Sequence, residues 1–259
     1  MSTDAGLLSS LTQLREFGIS FIRNVPTQEG EVARVAQRIG PIRDTFYGRH
    51  WDVRSVKNAK NIAYTSLDLM LHQDLMYFEA PPGLQFLHAL EVTVPTGGES
   101  LFVDGFRVAE TLRRTHPHHF DTLVRVPVTY NYVHPHQHRI MRHPIISFDP
   151  HNAETHLFYS PPFEGPLDVP PEDVVPFYEA YREFTKLVDD PQYRLQFRLQ
   201  AGDLVAFNNR RLLHGRTGFD PSSGNRHLQG TYVDWDDFKS RASIIRRLCS
   251  TQTPSAASS

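Results

Sequence analysis

The sequence predicts a mainly β fold with flanking helices, organised as a barrel or jelly roll. Several short apolar and aromatic runs are bounded by turn residues, which is typical of such strands. Proline is frequent (19 residues) and aromatic residues reach 11%, which favours strands and ordered loops over a helical bundle. No repeat or linker divides the 259 residues, which fit one large domain. We expect this domain to cover residues 1–248, followed by a disordered polar tail, residues 249–259.

The first half of the chain is expected to contain short elements. FGISFIRNVPT is predicted to be a strand closed by a turn, and EGEVARVAQRIG a helix that ends at Gly40. DTFYGRHWDVRS is an aromatic-rich extended stretch. GLQFLHALEVTV has the apolar run of a strand, and PTGGES after it is a turn. LFVDGFRVAETLRRTHPHHFDTLVR is predicted to be a strand followed by a helix.

In the second half, VPVTYNYVH and HPIISFDP are predicted strands. PPEDVVPFYEAYREFTKLVDD is the clearest amphipathic helix, with Pro170 and Pro171 at its start and Glu172 and Asp173 in its first turn. YRLQFRLQAGDLVAFNNRRLLHGR alternates apolar and polar residues, breaks at residues 201–203 and resumes, so we expect two strands around a tight turn. RHLQGTYVDWDD is a late strand.

Composition excludes several classes of protein. Lys and Arg (27) nearly balance Asp and Glu (29), so neither nucleic acid nor a membrane is expected as a partner. No apolar run approaches the roughly 20 residues of a spanning helix, and the first residues lack the pattern of a secretory signal. Cys249 is the single cysteine and has no motif around it. We therefore expect a cytoplasmic protein that acts on a small molecule, with a homodimer left open.

A candidate metal site begins at the tripeptide His72-Gln73-Asp74, inside an apolar run. Side chains two positions apart on a strand point to the same face, because side chains alternate with period two. His214 ends another apolar strand and supplies a second imidazole. Two His and one carboxylate with three open positions are the ligand set of non-haem Fe(II) oxygenases. Each residue alone would more often be structural, but together they predict a catalytic iron site.

Arg226 lies 12 residues after His214 (226 minus 214). A planar guanidinium next to the metal can bind a carboxylate with two parallel hydrogen bonds. The far carboxylate of 2-oxoglutarate is the natural candidate, and the open metal positions would take the rest of this co-substrate and O2. Alone, the residue would be a solvated charge; its position after the ligands favours a catalytic role.

Two His-rich stretches are the alternative metal-binding candidates: THPHHF around His116 and YVHPHQH around His134. Neither has a carboxylate nearby, and both lie in turns that contain proline. We therefore predict that both are structural loops.

Six stretches carry a resemblance to a known family: IRDTFYGRHW, NIAYTSLDLMLHQD, PPGLQFLHAL, TGGESLFVDGF, NNRRLLHGR and RHLQGTYVDWDD. The sequence resembles the Fe(II)/2-oxoglutarate oxygenases of the taurine dioxygenase superfamily, and within it the γ-butyrobetaine and trimethyllysine dioxygenase branch. The resemblance implies a double-stranded β-helix (jelly-roll) core with iron held by His72, Asp74 and His214. It also implies 2-oxoglutarate held by Arg226, with Ser100 as a helper.

The resemblance further implies an aromatic cage for a trimethylammonium group. The matching positions are Tyr47, Trp51, Tyr64 and Tyr232. Aromatic faces attract a quaternary cation through their quadrupole. Any one of these residues would otherwise be an ordinary core aromatic, but the complete set favours a trimethylammonium or alkylated amine as the substrate.

The sequence departs from the family pattern at three places. Gln73 stands where the family usually has Thr, and Leu75 where it has an aromatic or polar residue. A consecutive Asn pair that contacts the substrate carboxylate in the branch is replaced by Ser160 and Pro161. We therefore expect the iron and co-substrate sites to be intact and one end of the substrate pocket to be changed. Arg49 and Arg216 remain as alternative carboxylate partners.

The implied reaction is oxidation of a substrate C–H bond, most simply hydroxylation, with release of succinate and CO2. Strict γ-butyrobetaine or trimethyllysine hydroxylation, desaturation, cyclisation and N-demethylation remain open, because the outcome depends on which C–H bond is presented. A metal-free β-barrel binding protein is the non-enzymatic alternative, but it would require the loss of a ligand, and none is lost. A zinc hydrolase with two His and one carboxylate is disfavoured by the strand-borne His-x-Asp and by Arg226.

Overall fold

A computed structural model describes residues 1–54, 67–149, 151 and 154–251. Nine of its strands form two antiparallel sheets. The first sheet contains, in spatial order, β1 (Ile19–Ile22), β11 (Leu204–Asn208), β4 (Leu84–Val92), β13 (Arg226–Val233) and β2 (Trp51–Arg54). The second sheet contains β10 (Arg194–Phe197), β5 (Ser100–Asp104), β12 (Leu212–Arg216) and β3 (Leu69–His72).

Two antiparallel strand pairs and six helices surround these sheets. The pairs are β6 (Pro127–His134) with β7 (Gln137–Pro144), and β8 (Ile146–Asp149) with β9 (Glu154–Leu157). The helices are α1 (Asp4–Phe17), α2 (Glu31–Ala36), α3 (Gly105–Thr115), α4 (Pro117–Arg125), α5 (Pro171–Asp189) and α6 (Trp235–Thr251). No helix in the described part of the chain has the length and apolar composition needed to cross a bilayer.

The inner faces of the two sheets contact each other through apolar side chains. Phe102 of β5 packs edge to face on Phe207 of β11, with ring centroids 4.9 Å apart. Ala89, Val205 and Leu228 join the same buried cluster. Every residue of β13 is buried. The helix α2 packs against this strand, and Val233 at its end shares an apolar cluster with side chains of α1, α2 and α6.

The structure contains the predicted antiparallel sheets and flanking helices, although it is a mixed helix and sheet structure and not mainly β. Three local predictions were wrong. The helix α2 ends at Ala36 instead of reaching Gly40. Beyond it, Arg38 and Ile39 bond to carbonyls three residues back, which tightens the chain into a 3₁₀-like turn.

The helix expected after β5 is divided into α3 and α4 at Pro117, because proline has no N–H to continue the hydrogen-bond ladder. The strands β10 and β11 do not pair around their turn. β10 pairs with β5 in the second sheet, while β11 lies between β1 and β4 in the first. The turn at residues 201–203 is therefore a crossover between the sheets.

The two terminal helices were not predicted. Thr3 caps α1 by accepting a hydrogen bond from the Gly6 N–H (3.1 Å), and Gly18 ends this helix in the left-handed conformation. The helix α6 runs to Thr251 and so includes the first residues of the expected tail. Helices α1 and α6 pack together over the first sheet through Leu7, Leu11 and Ile245.

Candidate active site

The three predicted metal ligands meet where β3 pairs with β12. His72 is the last residue of β3, and it lies directly opposite His214 in the antiparallel register. Asp74 follows in the turn after β3. One donor atom from each residue lies within 4.8 Å of the others, and no comparable group of His, Cys, Asp or Glu occurs elsewhere in the described residues. Two neighbouring strands and one turn thus bring the ligands together from positions far apart in sequence.

The close approach of β3 and β12 depends on Gly215. A Cβ atom at this position would lie 2.5 Å from the carbonyl oxygen of Leu69. The register also shifts between His214 and Arg216, which is the mark of a β-bulge. Glycine at position 215 therefore allows the strand that carries His214 to lie against β3.

The orientation of His72 suits a metal ligand. Its Nδ1 lies 2.8 Å from the carbonyl oxygen of Met70, and a carbonyl can only accept, so Nδ1 is a donor. Its Nε2 therefore faces Oδ1 of Asp74, 3.1 Å away, and is the ring atom turned toward the other two predicted ligands. His214 Nε2 lies 3.8 Å from the same oxygen.

The electrostatics of the cluster favour the forms that bind metal. Burial lowers the pKa of His214 to about 3, and the neighbouring His72 adds to this effect, so the ring is neutral at physiological pH. Burial alone would raise the pKa of Asp74, but His72, His214 and Tyr232 outweigh it and hold that pKa well below its ordinary value. Neutral imidazoles and an ionised carboxylate are the forms that a divalent metal requires.

Tyr232 completes the environment of Asp74. Its hydroxyl donates a 2.6 Å hydrogen bond to Oδ2, the carboxylate oxygen that does not face His72. Burial and the adjacent carboxylate raise the pKa of this phenol well above its usual value, so it remains a donor. Oδ1 is thereby left to face both histidines.

The turn that holds Asp74 is fixed by Asn209, a fully buried residue. Its Oδ1 accepts from the Asp74 N–H (2.9 Å), and its Nδ2 donates to the Asp74 carbonyl (3.0 Å). Leu75, the next residue, has φ of 64°, which is rare for a branched side chain. Asn209 therefore holds a strained turn that aims the carboxylate at the histidines.

Gln73 connects the same turn to a second segment. Its side chain is fully buried, donates to the Asn209 carbonyl (2.8 Å) and accepts from the Tyr159 N–H (2.9 Å). Its backbone N–H also bonds to the Tyr159 carbonyl (2.8 Å). The Gln73 amide thus cross-links three segments next to the predicted metal ligands.

A cavity of about 70 Å³ joins the predicted metal ligands to the predicted co-substrate residues. Arg226 and Ser100 line this cavity together with His72, Asp74 and His214. Its other walls come from the inner faces of both sheets, namely Trp51, Val53, Leu69, Gln85, Leu87, Phe102, Gly215, Arg216 and Leu228. The structure thus brings the predicted metal and co-substrate residues to the walls of one cavity.

Arg226 is a buried cation in this cavity. Within the described chain its guanidinium has one hydrogen bond, from Nε to the Gly98 carbonyl (3.2 Å). Burial lowers its pKa to about 9, and the charge of Arg216 contributes. Burial likewise lowers the pKa of Arg216 to about 10. A buried guanidinium with one carbonyl partner among the described residues is costly to keep charged, so the cavity favours an anionic ligand at Arg226.

Three of the four predicted cage residues lie together beside the metal ligands. The rings of Trp51 and Tyr232 are 4.3 Å apart, and those of Tyr47 and Trp51 are 6.2 Å apart. Trp51 can lie over β13 because its cross-strand partner is Gly230, where a Cβ would come within 2.6 Å of the indole. Tyr64, the fourth, lies outside the described residues.

The other predicted positions are distributed as follows. Ser160 is fully buried, and Pro161 begins a 3₁₀ turn, Pro161–Phe163. Arg49 is exposed and 3.9 Å from Asp44, away from the cavity, whereas Arg216 lines it.

The His-rich stretches do not join any metal cluster in the described chain. His116 links α3 to α4, and His134 is the last residue of β6. Cys249 is a half-buried cysteine in α6 and belongs to no metal cluster of the described residues.

Sequence reasoning missed Asn209 and the contacts of Gln73. The only signal was a pair of asparagines at the end of an apolar run, five residues before His214 (214 minus 209). Such a pair equally suits a turn. Its role depends on contact with a segment more than a hundred residues away, which no local pattern encodes.

Known proteins with similar sequences include two dioxygenases. Dioxygenase str8 of Strobilurus tenacellus is 40% identical over 261 residues, which cover 95% of this chain and 61% of that protein. The γ-butyrobetaine dioxygenase of Pseudomonas sp. (strain AK-1) is 39% identical over 247 residues, covering 95% and 64%. The chain thus spans about three fifths of the length of these relatives.

Solved structures share the fold. A taurine dioxygenase from Burkholderia xenovorans superposes with a TM-score of 0.68 over 90% of this chain and 83% of that one, at 17% identity.

The family model of the taurine catabolism dioxygenases TauD and TfdA matches residues 2–232, which is most of the chain. With ligand residues, cavity and relatives in agreement, the chain belongs to the TauD/TfdA family of dioxygenases.

Proposed function

We propose that this protein is an Fe(II)- and 2-oxoglutarate-dependent oxygenase that oxidises a C–H bond of a small quaternary or alkylated amine. The observation that carries the proposal is the single cavity that contains His72, Asp74 and His214 at one side and Arg226 with Ser100 at the other. Two sheets facing each other across this cavity are consistent with a double-stranded β-helix, formed by one catalytic domain over residues 1–248. Its expected setting is the cytoplasm.

The donor set fits iron. Two imidazole nitrogens and one carboxylate oxygen converge, and the hydrogen bonds to His72 and Asp74 fix which atoms face the shared space. His72, Asp74 and His214 would hold the ion, and Arg226 would bind the far carboxylate of 2-oxoglutarate. When bound, iron supplies dioxygen activation at the expense of 2-oxoglutarate, which is converted to succinate and CO2 as the substrate gains oxygen.

The protein's own contribution is to position the partners and exclude water. Arg226 and Ser100 would orient the co-substrate by hydrogen bonds that are strong because the site is buried. Trp51, Tyr47 and Tyr232 would hold a trimethylammonium or alkylamine cation against their faces. Trp51 lines the metal cavity, so a cation held there would present its neighbouring C–H bonds close to the ligands.

Metal-dependent succinate release tests this function. The purified chain, supplied with Fe(II), ascorbate, O2 and 2-oxoglutarate, should release succinate, faster when a true substrate is present. A panel of amines followed by mass spectrometry should reveal a product one oxygen heavier. A metal-bound chain that hydrolyses substrates without 2-oxoglutarate would instead identify a zinc hydrolase, and a chain that binds no metal would identify a binding protein.

A further inference from the structure

The aromatic cage continues into a second group of rings. Tyr47 is the junction: its ring lies 4.3 Å from that of Phe46, and its hydroxyl lies 3.4 Å from the hydroxyl of Tyr77. Phe46 and Tyr77 both lead to Tyr132 of β6, with ring centroids 5.0 Å apart in each case. Aromatic side chains thus continue without interruption from the cage to Tyr132.

The group is closed by Phe163. The 3₁₀ turn Pro161–Phe163 brings its ring to 5.2 Å from Tyr77 and 6.0 Å from Tyr132. We call Phe46, Tyr77, Tyr132 and Phe163 the aromatic wall. Tyr77 is buried, but the other three are only half-buried, so part of their surface remains accessible to a ligand.

Few charged groups lie at this end. Among the described residues the Ser160 hydroxyl is buried without a hydrogen-bond partner, and Pro161 and Pro162 have no N–H. Arg139 is a cation at the wall, but its guanidinium already lies over the rings of Phe46 (5.5 Å) and Phe78 (4.4 Å). A carboxylate at the wall would have to recover its lost hydration from Arg139 and the hydroxyls of Tyr77 and Tyr132, whereas an apolar group would gain by contact with all four rings.

We propose that the aromatic wall is a subsite for an apolar, preferentially aromatic, tail of the amine substrate. The inference rests on the proposed amine-oxidising function and names the substrate class within it. A substrate of this class carries its alkylated nitrogen in the cage and its ring against Phe163 and Tyr132. Flat rings suit this site because offset and edge-to-face packing adds to the free energy of burial.

Binding measurements test the subsite without requiring turnover. The Mn(II)- and 2-oxoglutarate-loaded chain is titrated by calorimetry with tetramethylammonium, γ-butyrobetaine and phenethyltrimethylammonium. The phenethyl compound should bind at least about tenfold more tightly than γ-butyrobetaine. Phe163→Ala should remove most of this advantage while leaving tetramethylammonium affinity unchanged. Phe163→Leu keeps apolar volume and protects the fold, and it should lose a smaller part of the advantage.

Phe148→Ala is the matched control, because Phe148 is a half-buried ring of β8 that packs on Phe120, outside the wall. It should leave all three affinities unchanged.

If γ-butyrobetaine binds as tightly as the phenethyl compound, or if Phe163→Ala weakens tetramethylammonium binding by the same factor, the subsite assignment is wrong. If Arg139→Ala selectively abolishes tight γ-butyrobetaine binding, the wall serves an anionic tail. A failure of the proposed amine-oxidising function itself gives a different result. In that case Trp51→Ala leaves the affinity for tetramethylammonium unchanged.

Discussion

The Tyr232 hydroxyl donates a hydrogen bond of 2.6 Å to Oδ2 of Asp74, while the Tyr232 ring packs on Trp51 at 4.3 Å. One side chain therefore contacts both a metal-ligand carboxylate and the expected cation cage. Because Oδ2 accepts from the phenol, Asp74 would offer Oδ1 alone to a metal ion, which would then have three protein ligands, Asp74, His72 and His214.

Removal of this hydroxyl should affect the metal before it affects the fold. Tyr232→Phe should weaken Co(II) binding by about 10-fold or more, since partners of this kind are typically worth 10–100-fold in metal affinity. It should also alter the visible absorption of bound Co(II) as the carboxylate rotates. Tyr47→Phe is the control, because the Tyr47 hydroxyl lies near the Tyr77 hydroxyl and not at a predicted metal ligand. Equal Co(II) spectra in Tyr232→Phe and wild type would contradict the role.

The metal ligands themselves should be indispensable. His72→Ala, Asp74→Ala and His214→Ala should each abolish turnover while circular dichroism remains native-like, because each removes a donor from a three-ligand site. His116→Ala, in an exposed His-rich stretch, should remain active. Full activity of any ligand variant under limiting iron would disprove the assignment.

Arg226 should set the requirement for 2-oxoglutarate. Arg226→Ala removes charge-assisted hydrogen bonds worth about 1.5–3 kcal/mol each, so the apparent KM for 2-oxoglutarate should rise at least tenfold. Arg226→Lys should recover part of the loss by restoring the charge without the planar fork. Arg54→Ala, on the outer face of β2, serves as the control. An unchanged 2-oxoglutarate dependence in Arg226→Ala would refute the role.

Trp51 should discriminate cation binding from co-substrate turnover. Trp51→Ala should weaken a trimethylammonium substrate by about 0.5–2 kcal/mol, the usual range of a cation–π contact. Uncoupled 2-oxoglutarate turnover should fall less, because Arg226 and the metal ligands remain. The two quantities are measured as substrate KM and as succinate release without substrate. A parallel loss in both would mean that Trp51 is only a packing residue.

Local patterns predicted those parts of the fold whose signal is contained in a short window. The strands β4 and β13 contain apolar residues and follow turn residues, and α5 carries proline and acidic residues at its start. The pairing of strands was not predictable in this way. β10 and β11 are separated by a turn that resembles a hairpin, yet each pairs in a different sheet because its apolar face meets distant residues.

The residues of the candidate site also differ in whether a local sequence pattern reveals them. His72, Asp74 and His214 are recognisable because metal coordination restricts both residue type and order. The wall residues Tyr132 and Phe163 are not, since an isolated aromatic residue is more often core. Asn209 was hidden for a further reason: its partners belong to the turn after β3, 135 residues away (209 minus 74).

Asn209 should matter for both stability and metal binding. Asn209→Ala leaves the N–H and C=O of Asp74 without partners in a buried turn, which should lower the free energy of unfolding by about 1–3 kcal/mol. The same loss frees the strained Leu75 turn, so Co(II) affinity should fall as well. Asn225→Ala is the matched control, since the Asn225 side chain donates a hydrogen bond to Glu91 at an exposed edge.

Urea unfolding of the metal-free chain measures the effect on stability, and Co(II) titration measures the effect on metal binding. Because metal binds the native state, excess Co(II) should restore part of the lost stability. A variant with wild-type stability and wild-type Co(II) affinity would show that the turn holds its shape without Asn209.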